Sequence, residues 1–146
     1  MSDSYTPVQV RRQVKQDAGS LCGYCHCSER ITSSALVLEH IKPKATGGET
    51  VRENLWLACV QCNQYKSDRT HASDPLTDEV VPLYNPRTQS WAEHFTWDET
   101  GCYIIGVTAM GRATVEALQL NRELAVTARQ FWVSVGWHPP RDDLSG

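Results

Sequence analysis

No apolar stretch in the 146 residues reaches the ~18 that a helix needs to cross a membrane, so a transmembrane helix is excluded. The opening MSDSYTPVQVRRQ also lacks the apolar core of a secretory signal, and an intracellular, cytoplasmic location is expected. Excess positive charge is missing too. The formal net charge of -3 argues against a protein that coats nucleic acid by bulk electrostatics. There are no internal repeats and no low-complexity segments. At 16.4 kDa the chain is too short for two large domains. With 21% charged and 40% hydrophobic residues, its composition is that of an ordinary soluble globular protein.

The charge that is present is unevenly shared. Residues 1–72 carry nine Lys/Arg against seven Asp/Glu, whereas residues 73–146 carry five against ten. The mildly basic half also holds five of the six cysteines, Cys22, Cys25, Cys27, Cys59 and Cys62, leaving Cys102 alone in the other. Cys22-Gly-Tyr-Cys25 and Cys59-Val-Gln-Cys62 are two C-x2-C knuckles. In a chain without a secretion signal they read as a tetrahedral Zn(Cys)4 site, each knuckle offering two thiolates to one ion. The alternatives are reduced buried cysteines or redox pairs, and no thioredoxin-like βαβ pattern surrounds either pair. His26 or Cys27 could replace Cys25 as a ligand, but both break the x2 spacing. Cys102 reads as a small apolar filler. The 33 residues between the knuckles exceed a compact zinc ribbon, so something further is built between them.

Along the chain, Thr6-Pro7-Val8-Gln9 reads as a helix start, with Thr6 as N-cap and Gln9 closing a capping box. The helix would run from about Pro7 to Ala18, stop at Gly19 and show Arg11, Arg12 and Lys15 to solvent. Leu36-Val37-Leu38 reads as a buried strand leading into Glu39-His40-Ile41 and broken at Pro43. Thr46-Gly47-Gly48-Glu49 is a turn, Leu55-Trp56-Leu57 a second strand, and Cys62 to about Arg69 a short helix. After Ser73-Asp74-Pro75 the composition changes. His94–Trp97 and Tyr103–Val107 flank Asp98-Glu99-Thr100-Gly101 as a β-hairpin. From Thr114 to Val135, Leu120, Leu124, Ala128, Phe131 and Val135 recur at spacings of 4, 4, 3 and 4, predicting one face of a long amphipathic helix. Trp91, Phe95, Trp97, Phe131 and Trp132 are expected in the core.

Between the knuckles lie Glu39-His40, Asn54 and Asn63, in the frame EHIKPKATGGETVRENLWLACVQCNQYKSD. Singly each has an ordinary explanation, such as Asn54 capping a turn or Asn63 capping a helix. Together, an acidic residue and His, then Pro, Gly-Gly and Asn, then C-x2-C-N-x2-K, resemble the HNH endonuclease motif. The resemblance covers about Cys22 to Arg69 and includes the 14- and 9-residue steps from His40 to Asn54 to Asn63. Residues 82–135 more weakly resemble the tail of small stand-alone bacterial HNH proteins.

The resemblance implies an α+β fold: a ββα-metal core with two zinc knuckles and an N-terminal helix in residues 1–72. Residues 73–146 would form an extension of hairpin and long helix packed on that core. It also implies a metal-dependent DNA endonuclease. His40 would be the general base, and Asn54 would hold the His40 loop through a hydrogen bond orienting the imidazole. Glu39 and Asn63 would hold one divalent ion. Glu39 stands where Asp is common and Asn63 where many members have His, a donor set that favours Mg2+ or Mn2+. Lys66, one turn past Asn63, would pair with the phosphodiester, and Arg69, Lys42 and Lys44 with neighbouring phosphates. Neighbours on a regular strand point to opposite faces, so Glu39 and His40 serve one site only if the strand bends at Ile41-Lys42-Pro43.

The competing reading is a zinc-stabilised module that binds DNA or protein without catalysis. His40 and Lys66 favour the enzyme, while the acidic second half suits a protein partner. DNA is the expected substrate and a membrane is not a partner. Monomer and homodimer remain open.

Overall fold

In the computed structural model, which describes residues 6–144, helix α1 spans Val8–Asp17. The expected capping box does not form. Pro7 itself takes the N-cap, with no side-chain cap bond, which moves Thr6 and Gln9 out of the positions that could exchange hydrogen bonds. The helix stops as expected, with Gly19 at φ +61 after Ala18. Val14 is fully buried, Arg11, Arg12 and Lys15 face solvent, and the helix packs on strand β2.

Strands β1 (Val37–His40) and β2 (Leu55–Ala58) pair antiparallel, with Val37 opposite Ala58 and His40 opposite Leu55. Two 3-10 turns, Lys44–Thr46 and Arg52–Asn54, shape the loop between them. At Gly48 a Cβ would lie 1.8 Å from the Lys42 carbonyl oxygen, so only glycine lets the loop close this tightly. Helix α2 (Val60–Lys66) begins two residues before the expected Cys62, because the Cys59 thiol caps it by accepting from the Cys62 amide. It ends before Arg69 because Ser67 turns into the left-handed region at φ +53.

The chain divides into two compact units. The first is the chain up to Thr70 together with Asn85–Thr88; the second is His71–Tyr84 and the chain from Gln89 onward. Arg87 ties the returning segment to the first unit. It donates to Asp17 Oδ2 at 2.8 Å and to the Leu55 carbonyl at 3.1 Å, and its guanidinium lies 4.8 Å from the centroid of the Trp56 ring.

In the second unit, β3 (His71–Ser73) pairs with β4 (Val80–Pro82). The short helix α3 (Trp91–His94) leads into the expected hairpin, β5 (Phe95–Trp97) and β6 (Ile104–Gly106). Its turn is closed by Asp98 Oδ1, which accepts from Thr100 Oγ1 and from the amides of Cys102 and Tyr103. Trp91, Phe95 and the half-buried Trp97 lie in this unit's interior, as does Cys102.

The single long helix is not observed. Helices α4 (Ala109–Ala117) and α5 (Glu123–Ser134) are separated by a break in which Gln119 takes φ +50. Asn121 holds the break by bonding both backbone groups of Ile104, at 2.8 and 2.9 Å. Arg129, 2% exposed, donates to the carbonyls of Leu120 and Cys102. The break rotates the stripe outward: Leu124, Phe131 and Val135 are 81%, 69% and 58% exposed, while Val126 and Arg129 point inward. Phe131 is therefore not a core residue, and Trp132 is half-buried. A final short helix α6 covers Arg141–Leu144. Among the described residues no helix is long and apolar enough to cross a membrane.

Candidate metal centre and active site

The two knuckles bring Cys22, Cys25, Cys59 and Cys62 together, all buried, with their sulfurs within 4.8 Å of one another. Neither His26 nor Cys27 belongs to this group. A Zn2+ with Zn–S bonds of ~2.3 Å in tetrahedral geometry needs sulfur–sulfur edges of about 3.8 Å. Cys25 Sγ and Cys59 Sγ are 3.8 Å apart. Hydrogen bonds from neighbouring thiols, Cys22 first, hold Cys59 down to about 4 and Cys25 well below the usual thiol range. Burial pushes Cys22 up and the hydrogen bond with Cys22 pushes Cys62 up, so a metal ion bound by all four would displace their protons. The residues fit a structural zinc, and four thiolates leave that ion no open position for a substrate.

The first knuckle also delivers Tyr24, which sequence reading passed over. Its hydroxyl donates to Glu39 Oε2 at 2.7 Å, and Lys66 Nζ lies 2.7 Å from Glu39 Oε1. Both ends of the ion pair are interior, Glu39 at 2% and Lys66 at 3% exposure. Burial pushes the Glu39 carboxyl above its usual range, against the opposing pull of Lys66 and Tyr24. The remaining Lys66 protons reach the carbonyls of His40 and Ile41, at 3.3 and 3.4 Å. Lys66, expected to face a phosphodiester, is thus committed to the interior. It fastens α2 to the end of β1.

β1 keeps its regular alternation through His40, which still pairs with Leu55, so the bend that would bring Glu39 and His40 to one site does not occur. Asn63 sits half-buried on α2, and among the described residues its hydrogen bonds come from its backbone. The pair expected to hold a catalytic divalent ion does not fit one in this arrangement, because the only carboxylate already has both oxygens occupied and is sealed from water.

His40 faces the loop. Its Nε2 is 2.9 Å from Thr50 Oγ1, while no hydrogen bond reaches Nδ1 from the described residues. Partial burial, then the nearby Lys44 and Lys66 charges, lower its pKa, so the ring is neutral near pH 7. Asn54 does hold the loop, though not through the imidazole. Its Oδ1 accepts from the Lys42 amide at 2.8 Å, and its Nδ2 donates to the carbonyls of Lys42 and Glu49, at 3.0 and 2.9 Å. The Asn54 carbonyl also accepts from the Ile41 amide at 2.9 Å. Lys42, Lys44 and Arg69 are exposed, and the Arg69 guanidinium bonds the Tyr65 carbonyl. Thr50 carried no signal in the sequence, since its value lies in a partner ten residues away.

The family model described as HNH endonuclease matches residues 22–69, about a third of the chain. Comparisons with curated proteins and with solved structures find nothing that matches. The matched stretch runs from the first knuckle through the antiparallel hairpin to just past the helix behind the second knuckle. Such domains commonly bind DNA, and the match points to a nuclease or nucleic-acid-binding function. In sequence match, paired knuckles and hairpin-then-helix order together, residues 22–69 are similar to an HNH endonuclease domain.

Proposed function

We propose that the domain hydrolyses DNA phosphodiesters with His40 as the general base. The observation that carries this reading is the environment of the imidazole: neutral, tethered at Nε2 and open at Nδ1, on a loop that carries Lys42 and Lys44. A water held against Nδ1 gives up its proton to that nitrogen as its oxygen attacks phosphorus. The P–O3′ bond then breaks and the 3′ oxygen leaves with a proton from solvent. The Lys42 and Lys44 ammonium groups offset charge on the phosphate, and Lys44 is close enough to bias His40 electrostatically. Zinc on the four cysteines would supply no chemistry to this step and would hold the hairpin and α2 in place. No step is assigned to a divalent ion at Glu39, given the ion pair that occupies it.

A second reading, a zinc-stabilised nucleic-acid-binding module without turnover, is favoured by that same Glu39–Lys66 pair, since neither charge faces a substrate. Cleavage of supercoiled plasmid by the full chain, with Mg2+, Mn2+ or EDTA and with His40→Ala alongside, separates the two. Nicking that disappears in His40→Ala supports the enzyme. Folded, zinc-loaded protein that binds DNA but leaves it intact in every condition supports the module.

A further inference from the structure

The His40–Thr50 contact decides which nitrogen is the base, a question that the nuclease reading leaves open and on which this inference rests. A neutral imidazole has one N–H donor and one lone-pair nitrogen, and its hydrogen bonds select which is which. We propose that Thr50 is a positioning residue that fixes the His40 tautomer: Nε2–H donates to Thr50 Oγ1, leaving the Nδ1 lone pair to take the proton from water.

Three observations bear on it. The Thr50 contact is the one hydrogen bond the ring makes among the described residues, so nothing else competes to set the tautomer. Both ends of the bond are anchored by the same side chain. Asn54 grips Lys42, two residues after His40, through both backbone groups, and grips the carbonyl of Glu49, immediately before Thr50. Asn54 therefore orients the imidazole at one remove, through Thr50. Finally, a β-branched side chain has a restricted χ1, which keeps the hydroxyl aimed at the ring at little entropic cost. With the opposite polarity, Thr50 donating to Nε2, the proton would sit on Nδ1 and the open nitrogen could not act as a base.

The test uses full-length, zinc-loaded protein labelled with 15N at histidine. Two-bond 15N–1H spectra report the His40 tautomer without any need for turnover. Wild type is expected to show the Nε2–H tautomer. Thr50→Val, which removes the hydroxyl but keeps the shape, should give a mixture and slow nicking by about tenfold or more. Thr50→Ser should restore the tautomer and bring the rate to within about threefold of wild type. An Nδ1–H tautomer in wild type, or a Thr50→Val protein with unchanged tautomer and rate, overturns the inference. Nicking that survives in His40→Ala instead removes His40 as the base, and the spectra then judge the Thr50 tautomer lock alone.

Discussion

The two neighbours Glu39 and His40 meet opposite environments, and each makes a separate prediction. Glu39 and Lys66 are buried as a pair with a tyrosine hydroxyl completing the carboxylate. Removing one partner strands the other charge in the interior. Lys66→Met should therefore cost about 3–5 kcal/mol at neutral pH in urea denaturation of the zinc-loaded protein. The double variant Glu39→Leu with Lys66→Met should lose less than that single change. A Lys66→Met protein as stable as wild type would mean that the ammonium is not tied down. As the proposed general base His40 would act unprotonated, and its pKa is lowered, first by burial and then by Lys44 and Lys66. The acid limb of the nicking rate should consequently lie below the ordinary histidine value of ~6.5, leaving activity close to its plateau at that pH. A limb centred above it would speak against His40 as the base. Residue identities at this site were legible from the motif, but partners were not. The strand alternation that separates Glu39 from His40 is a local rule and was readable in advance. The pairing of Glu39 with Lys66 joins β1 to α2 and depends on how a hairpin and a helix pack.

Elements whose ends are set by their own residues were the readable ones. Gly19 stops α1, the Asp98–Gly101 turn makes the β5–β6 hairpin, and Gly47-Gly48 closes the His40 loop. The break between α4 and α5 was not readable, because the apolar spacing runs straight across it. It exists because Asn121 satisfies Ile104 on the hairpin and Arg129 satisfies the carbonyl released at Leu120. Asn121→Ala would leave the Ile104 amide and carbonyl without that partner and should cost about 1–3 kcal/mol. Urea unfolding monitored by tryptophan fluorescence checks it, and an unchanged midpoint would place the cause of the break elsewhere. In the first unit, Asp17 at the end of α1 takes a bidentate bond from Arg52, at 2.9 and 2.7 Å, and a third bond from Arg87. Arg52 foremost, then Arg87, holds the Asp17 carboxyl down to about 2 against its ordinary 3.8, despite the opposing effect of burial. A depressed folded value contributes stability that is complete above 3.8 and lost as pH falls toward 2. Asp17→Asn should flatten the acid-induced loss of stability in that window, and an unaltered acid profile would show the clasp to be energetically idle.

Across the whole molecule, a linear boundary near residue 72 could not express that Asn85–Thr88 belongs with the first unit, since Arg87 reaches back to residues 17 and 55. The four-cysteine cluster was readable because metal geometry ties sequence spacing directly to space, and all four thiols lie in that first unit. Cys59→Ser removes a thiolate ligand while keeping a side-chain oxygen that can still cap α2, so zinc content and thermal midpoint should fall together through loss of the metal. A variant that still holds one zinc per chain would contradict the ligand set. The charge split bears on DNA at this same scale. A net charge of -3 cannot draw in a polyanion by itself, so binding must rest on a few local cations. Lys66 is spent inside the fold and Arg52 on Asp17, which leaves Lys42 and Lys44 as the exposed ammonium groups of the His40 loop. Each phosphate that a lysine neutralises adds about 0.9 to the slope of log affinity against log salt. Lys42→Gln and Lys44→Gln should therefore each lower that slope by roughly one and weaken binding about equally for unrelated duplexes. Lys66→Gln, if folded, should leave the slope where it is, because its charge never met a phosphate. A slope that falls with Lys66→Gln but not with Lys42→Gln or Lys44→Gln would mean that the Glu39–Lys66 pair opens when DNA binds and that the phosphate path runs past α2 instead.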